Sequence, residues 1–230
     1  MATERYKLFR EIVPGSGPVL LMVHGFLSSR AQWQANLAAL ALKTRPVLLE
    51  LWGHGRSPAP ENDEAYTIDA YIEQFEQARI ALGTSQVVMV GQSFAAGLGL
   101  HYALRHPDRV AAVVMTNSMS ALAKPEGTEQ KASRDQMAAQ IESRGIAAIR
   151  DLPMHPRHAR RISTQLREKL IEAADSVRPE AILRTLRMTV PFLSALHELP
   201  RVMCPVLLVN GVLEKAFQPL PSRPSQNFSF

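Results

Sequence analysis

A buried strand that delivers a serine onto a tight turn is the feature that most constrains how this chain folds. The apolar run Val87–Val90 is followed at once by GQSFAAG, residues 91–97. Small residues around a serine, between a strand and a helix, predict a sharp turn that exposes the hydroxyl group. The helix that follows would aim its first N–H groups at negative charge developing beside it. Ser93 is therefore the candidate nucleophile, and a turn that only caps a helix is the alternative.

Two upstream segments also run from an apolar strand into a glycine-rich turn. They are VLLMVHGF at residues 19–26 and VLLELWGHGRS at residues 47–57. With the serine turn, the chain resembles the α/β-hydrolase family, whose members carry His-Gly-x, Gly-His-Gly-x-Ser and Gly-x-Ser-x-Gly after successive strands. Ala95 replaces the last glycine of the third motif, a small change because alanine is the next least bulky residue. The resemblance extends over about residues 19–218.

The distribution of apolar residues supports an α/β fold independently of that resemblance. Helical patterns lie between the earlier apolar runs, at residues 68–82 and 93–105. Continuous apolar strands that alternate with helices predict a mostly parallel sheet covered by helices on both faces. The apolar runs begin at Val19, Val47, Val87, Val110 and Val206.

Residues 119–200 break this alternation and predict a second unit. Helical patterns occur there at residues 129–144, 156–174 and 179–199, without a convincing strand between them. The resemblance implies an inserted helical cap that closes over the nucleophile and excludes water. A helical bundle unrelated to the site is the alternative. We therefore expect an α/β-hydrolase core at residues 1–118 and 201–218, a cap at 119–200 and an irregular tail at 219–230.

The resemblance also implies the other members of the site. The oxyanion hole would consist of the backbone N–H groups of Phe26 and Phe94, with Leu27 as the alternative to Phe26. Glu214 stands after the strand at Val206, where the family carries its catalytic acid, and glutamate can orient a histidine as aspartate does. The family's other place for the acid, residues 116–118, holds no carboxylate.

The catalytic histidine is the missing member of this set. The family order is serine, acid, histidine, yet sixteen residues follow Glu214 and no histidine follows His197. His24 and His54 belong to the turn motifs and are expected to brace loops. Three prolines within residues 219–224 exclude the helix expected next. We interpret the ending as truncated or frameshifted, or as a natural variant, and expect low activity.

Composition and charge exclude several other classes of function. The net charge is +5, and a basic cluster lies at residues 157–161. This cluster has no interleaved aromatic residues on which bases could stack, which argues against nucleic-acid binding. An alternative role for Arg157, Arg160 or Arg161 is pairing with an anionic substrate. The chain has no membrane-length apolar stretch, no apolar signal region and a single cysteine, Cys204, which predicts a cytoplasmic protein. Neither a cofactor nor a metal is expected, because no ligand cluster or phosphate-binding loop is present.

These features predict a serine hydrolase that acts on a small ester, thioester, lactone or related carbonyl compound through an acyl-enzyme at Ser93. The partner is then a small-molecule substrate, with no indication of the oligomeric state. The alternative is a non-catalytic protein of the same fold that binds a small ligand.

Overall fold

A six-stranded sheet lies at the centre of the protein in the computed structural model, which describes residues 6–211. Its spatial order is β1-β3-β2-β4-β5-β6, and all neighbours run parallel except β1 and β3. The predicted α/β class with a mostly parallel sheet is confirmed. The strands are β1 Arg10–Ile12, β2 Val19–Val23, β3 Arg45–Leu49, β4 Val87–Gln92, β5 Val110–Thr116 and β6 Val206–Val209.

Helices cover both faces of this sheet, so the central strands are apolar on both sides. Successive side chains of a strand point to opposite faces. Leu21 and Val23 of β2 therefore join the larger apolar cluster, which includes side chains of α2 and α3, whereas Leu20 and Met22 join the cluster that α1 contacts. All five residues of β2 are buried. The helices are α1 Gln34–Ala41, α2 Ile68–Ala81 and α3 Phe94–Arg105.

The first strand is absent from the sequence-based prediction. β1 has three exposed residues and forms by antiparallel pairing with β3, where Ile12 lies opposite Val47. A strand this short has no repeated alternation of apolar and polar residues. Its partner in the sheet, rather than its own sequence, determines its conformation.

Helices make up most of the chain between β5 and β6. Five of them are α4 Met119–Leu122, α5 Thr128–Arg144, α6 Ile146–Asp151, α7 Thr164–Asp175 and α8 Pro179–Met188. Helices α5 to α8 bury a separate apolar cluster that includes Ile141, Ile149 and Ile182, together with Leu27 from the loop after β2, whereas Ala121 of α4 joins the main cluster. A backbone hydrogen bond from Arg178 N–H to Gly53 O, 3.1 Å, ties α8 to the turn after β3.

Two of the predicted helices in this region are shorter than expected. The stretch 156–174 is a 3-10 turn at Pro156–His158 followed by α7, because Ser163 caps a new helix by accepting a hydrogen bond from Leu166 N–H. In the stretch 179–199, the α-helix ends at Met188, because Pro191 has no N–H group to continue it.

The last described strand forms one edge of the sheet. β6 pairs with β5, and all four of its side chains are exposed. No helix within residues 6–211 is long and apolar enough to cross a membrane.

A buried carboxylate organises the turn that follows β3. Glu50 accepts hydrogen bonds from Arg56 N–H at 2.7 Å and from Arg30 Nη1 at 2.8 Å, and its side chain is fully buried. Gly55 has a φ of 50°, and a Cβ at this position would overlap the Glu50 carboxylate. The turn therefore requires a residue without a side chain at position 55.

We predict that Gly55→Ala is more destabilising than Gly145→Ala. Both glycines have positive φ values, 50° and 56°, but a Cβ on Gly145 would meet no described atom within 4 Å. Each alanine costs about 1–3 kcal/mol because of the positive φ, and overlap with Glu50 adds about 1–3 kcal/mol for Gly55→Ala. Urea unfolding measures both free energies. Equal losses would contradict the assigned contact between Gly55 and Glu50.

Candidate active site

Ser93 occupies a strained position between β4 and α3. Its φ and ψ are 51° and −113°, a backbone conformation that favours glycine, and it is the N-terminal cap residue of α3. Its N–H donates to Thr116 O of β5 at 2.8 Å. The turn therefore holds the serine at the carboxyl ends of the central parallel strands.

Two other residues near Ser93 share this unusual backbone. Leu27 after β2 and Asn117 after β5 have φ values of 56° and 47°, and with Ser93 they are the non-glycine residues with positive φ in the described chain. Conformations of this kind cost about 1–3 kcal/mol each and cluster at functional sites. Asparagine tolerates the left-handed region, so Asn117 carried a weak signal in the sequence. Leu27 carried none.

All three strained residues line one cavity of about 980 Å³. Its size is in the range of small-molecule sites. The core contributes polar and aromatic side chains, and the helical region contributes mostly apolar ones. The lining residues are Phe26, Leu27, Ser28, Gln32, Trp33, Asn36, Gln92, Ser93, Thr116, Asn117, Ser120, Ala123, Met154, Pro156, Ala159, Ile162, Leu166 and Leu170.

The structure brings the two expected oxyanion donors onto neighbouring segments. The rings of Phe26 and Phe94 lie 6.1 Å apart between centroids. Phe94 is the first residue of α3, so the helix itself offers no partner for its N–H group. Their assignment to an oxyanion hole stays a prediction.

Two glutamines that the sequence did not single out hold the loop after β2 against Ser93. Gln32 Oε1 accepts a hydrogen bond from Gly25 N–H at 3.3 Å. A Cβ on Gly25 would overlap the side chain of Gln92, the residue before Ser93. A larger residue at position 25 would displace the Gln92 side chain, so the glycine lets this loop and Gln92 approach closely.

His24 and His54 are buried within the turns, as expected for residues that brace loops. His24 Nε2 accepts from Leu51 N–H at 3.1 Å, so Nδ1 carries the proton and donates to Gly25 O at 2.8 Å. His54 Nδ1 lies 2.9 Å from Trp52 O. Burial lowers the pKa of His24 to about 4 and that of His54 to about 3, so both rings are neutral at pH 7.

No histidine lines the wall that contains Ser93. All seven histidines of the chain lie within residues 6–211, and none is among the cavity-lining residues of that range. His155 lies between two lining residues, but its ring is buried and Nδ1 accepts from Arg157 N–H at 3.2 Å. The described cavity therefore lacks the imidazole base of a serine hydrolase.

The remaining predicted site residues are an acid and three arginines. Glu214 lies outside the described residues. Arg157, Arg160 and Arg161 are exposed and do not line the cavity, and Arg157 Nη2 lies 3.5 Å from Asp151 Oδ1. The hypothesis that one of them binds an anionic substrate there is not supported. Among the described residues, no cluster of His, Cys, Asp and Glu is arranged to hold a metal ion.

Acid should destabilise the protein through the buried rings of His24 and His54. The unfolded rings take up protons near their ordinary pKa of about 6.5, whereas the folded rings stay neutral until about pH 4 and 3. The free energy of unfolding should therefore decrease as pH falls from 6.5 to 4, by up to about 1.4 kcal/mol per pH unit for each ring.

Denaturant unfolding of His24→Gln tests this prediction, because a glutamine oxygen can accept the Leu51 N–H without taking up a proton. The slope of stability against pH should decrease by about one ring's share. His197→Gln is the matched control, since His197 is exposed. If both variants keep the slope of the unmodified protein, the protonation of His24 is not the cause.

Strain at Ser93 predicts that glycine is the more stable replacement. Ser93→Ala and Ser93→Gly both remove the hydroxyl, but glycine adopts a φ of 51° without steric cost. We expect Ser93→Gly to be more stable than Ser93→Ala by about 1 kcal/mol. Urea unfolding of both variants measures the difference, and a more stable Ser93→Ala would show that the turn is unstrained.

The amino-acid sequence is similar to those of known proteins. A sequence profile of the alpha/beta hydrolase fold matches residues 18–149. Bifunctional epoxide hydrolase 2 of Rattus norvegicus is 34% identical over 113 residues, which cover 49% of this chain and 20% of the rat protein. Epoxide hydrolase 3 of Mus musculus is 27% identical over 103 residues, covering 45% and 28%. This chain thus matches well under two thirds of either relative.

Solved structures of similar fold include enzymes of different names. A thermophilic esterase from Thermogutta terrifontis has a TM-score of 0.76 at 24% identity, covering 88% of this chain and 74% of the esterase. The enol-lactonase from Burkholderia xenovorans LB400 has a TM-score of 0.71 at 18% identity, covering 92% and 80%. At these identities, the likeness establishes the fold alone.

Proposed function

Because the chain belongs to the alpha/beta hydrolase fold family, we propose that it is a serine hydrolase of esters, thioesters, lactones or related carbonyl compounds. The observation that carries this proposal is the strained turn that holds Ser93 in the wall of a large cavity. Strain of this kind persists where the surrounding structure maintains it, often because function needs the position.

The proposed reaction begins with attack of Ser93 Oγ on the substrate carbonyl carbon. The tetrahedral intermediate places negative charge on the former carbonyl oxygen, which the N–H groups of Phe26 and Phe94 would stabilise by about 3 kcal/mol each. Its collapse expels the alcohol or thiol and leaves an acyl group on Ser93. Water then attacks the acyl group, restores the serine and releases the acid.

This mechanism requires a base that accepts the hydroxyl proton of Ser93. Glu214 remains the proposed acid, but a carboxylate acts in such sites by orienting a histidine. Since none of the seven histidines lines the described wall, efficient deprotonation of Ser93 has no assigned base in this 230-residue chain. We therefore propose slow turnover for residues 1–230 tested alone. Oxyanion donors and substrate binding alone retain about 10³–10⁴-fold catalysis over water.

A serine nucleophile favours carbonyl substrates over epoxides, although two relatives are named epoxide hydrolases. Attack of a serine hydroxyl on an epoxide forms an ether, which water does not cleave at neutral pH, so the enzyme would be blocked after one turnover. Attack on an ester forms a new ester, which water hydrolyses. Ser93 therefore supports ester-type chemistry.

We also propose that residues 119–200 act as a cap on a core formed by residues 1–118 and 201–218. In support, the cavity wall combines Ser93 and Gln92 of the core with Met154 and Leu166 of the helical region. A cap of this kind excludes water from the reacting groups. A cytoplasmic location is proposed from the sequence, chiefly from its single cysteine.

Non-catalytic binding of a small ligand is the second candidate function. It is favoured by the absence of a histidine from the described cavity wall. A protein of this kind would keep the cavity but would not need an activated serine.

Labelling with a fluorophosphonate distinguishes the two functions. The reagent bonds covalently to a nucleophilic serine, so after prolonged incubation we expect one phosphonyl group per folded chain, located on Ser93 by peptide mass spectrometry. Ser93→Ala should lose the label. Ser120→Ala, which changes another serine of the same cavity, should keep it.

The outcome decides the proposal when circular dichroism shows that each sample is folded. No label on the folded, unmodified protein after prolonged incubation would contradict a nucleophilic role of Ser93 and favour ligand binding. A label that persists in Ser93→Ala would place the reactive group elsewhere.

A further inference from the structure

The residues that line the Ser93 cavity indicate the charge and the shape of the substrate. This inference rests on the proposed function. We infer that the substrate is an uncharged ester or thioester with an extended alkyl chain. We further infer that the segment of residues 154–170 binds that chain and selects for it.

This segment presents only apolar side chains to the cavity. Its lining residues are spaced two to four positions apart, so they lie on one side of the segment although its backbone changes from a 3-10 turn to irregular chain to α7. This set, called the apolar strip, consists of Met154, Pro156, Ala159, Ile162, Leu166 and Leu170.

The charged residues of the same segment lie outside the cavity. Arg157 contacts Asp151, Arg160 and Arg161 are exposed, and Lys169 Nζ donates to Gln34 Oε1 at 2.9 Å. Within residues 6–211, no Lys, Arg, Asp or Glu lines the cavity. A substrate carboxylate placed against the apolar strip would lose part of its hydration without gaining a cationic partner from the cavity wall, which is unfavourable.

The opposite wall indicates how the substrate is oriented. Gln92, Ser93, Thr116 and Asn117 come from the carboxyl ends of β4 and β5 and bring hydrogen-bonding groups to the cavity. The reacting carbonyl group therefore lies against the strand ends, beside Ser93. Its alkyl chain extends away from the sheet along the apolar strip, where each buried methylene group contributes to binding.

The test compares how fast three fluorophosphonates label Ser93. The first carries an ethyl group, the second an octyl group, and the third an eight-carbon chain that ends in a carboxylate. We expect the second-order rate constant to be at least tenfold higher for the octyl reagent than for either of the others. Equal rate constants for the octyl and carboxylate reagents would overturn the inference.

Two variants with the same change of charge locate the selectivity. Ile162→Asp and Arg161→Ala each lower the net charge by one, but Ile162 lines the cavity and Arg161 does not. We expect Ile162→Asp to remove the advantage of the octyl reagent, and Arg161→Ala to preserve it within twofold. Ile162 is 37% exposed and lies outside the helices, so its replacement removes little of the core. An unchanged advantage in Ile162→Asp would exclude this segment as the selective element.

The same comparison separates failure of the inference from failure of the proposed function. Equal rate constants for the octyl and carboxylate reagents overturn only the inferred substrate class. If no reagent labels the folded protein, the proposed function fails, and binding of 2-decanone and decanoate then tests the cavity through the fluorescence of Trp33, which lines it. We expect 2-decanone to bind at least tenfold more tightly, and the signal to disappear in Trp33→Phe. Equal affinities would overturn the inference.

Discussion

Parallel pairing of β2, β4 and β5 is the constraint on which the rest of the site depends. The register places Val23 beside Gly91, and Gly91 beside Met115, so all three strands end at the same edge of the sheet. Ser93 and Asn117 directly follow β4 and β5, and Leu27 lies four residues after β2. Leu27, Ser93 and Asn117 adopt left-handed backbone at these positions. The cavity is thus a consequence of where the strands end.

Buried polar groups maintain this crowded edge. Glu50 and His24 have no access to water, yet each accepts a hydrogen bond from a backbone N–H group of the turn that follows β3. Burial of a carboxylate or an imidazole is unfavourable unless hydrogen bonds replace its hydration. Because the partners are backbone groups in defined positions, the same bonds that satisfy these side chains also fix the turns. The loop that carries Phe26 is therefore held before any substrate arrives.

The parts of the molecule that depend on local patterns could be predicted from sequence. The apolar runs predicted five strands, and the small residues around Ser93 predicted the turn, because both are short-range effects. The strand β1 and the backbone of Leu27 depend on distant partners, so no local pattern indicated them. The break before Ser163 comes from a local helix cap, which the helical pattern of residues 156–174 concealed. The family resemblance supplied Phe26, Phe94 and Glu214 as site members. It did not indicate Gln32 or Gln92, whose importance comes from packing on Gly25.

The segment of residues 154–170 illustrates how one sequence supports opposite interpretations until its orientation is known. In the sequence, its arginines form a basic cluster that suggests binding of an anionic partner. In the fold, Ala159 and Ile162 take the inward positions, and the arginines between them are left on the solvent side. A long arginine can remain in water while its neighbours line a cavity, because the side chain reaches several ångströms from the backbone. Positive charge near a site therefore says little about its ligand unless the charged group reaches the cavity wall.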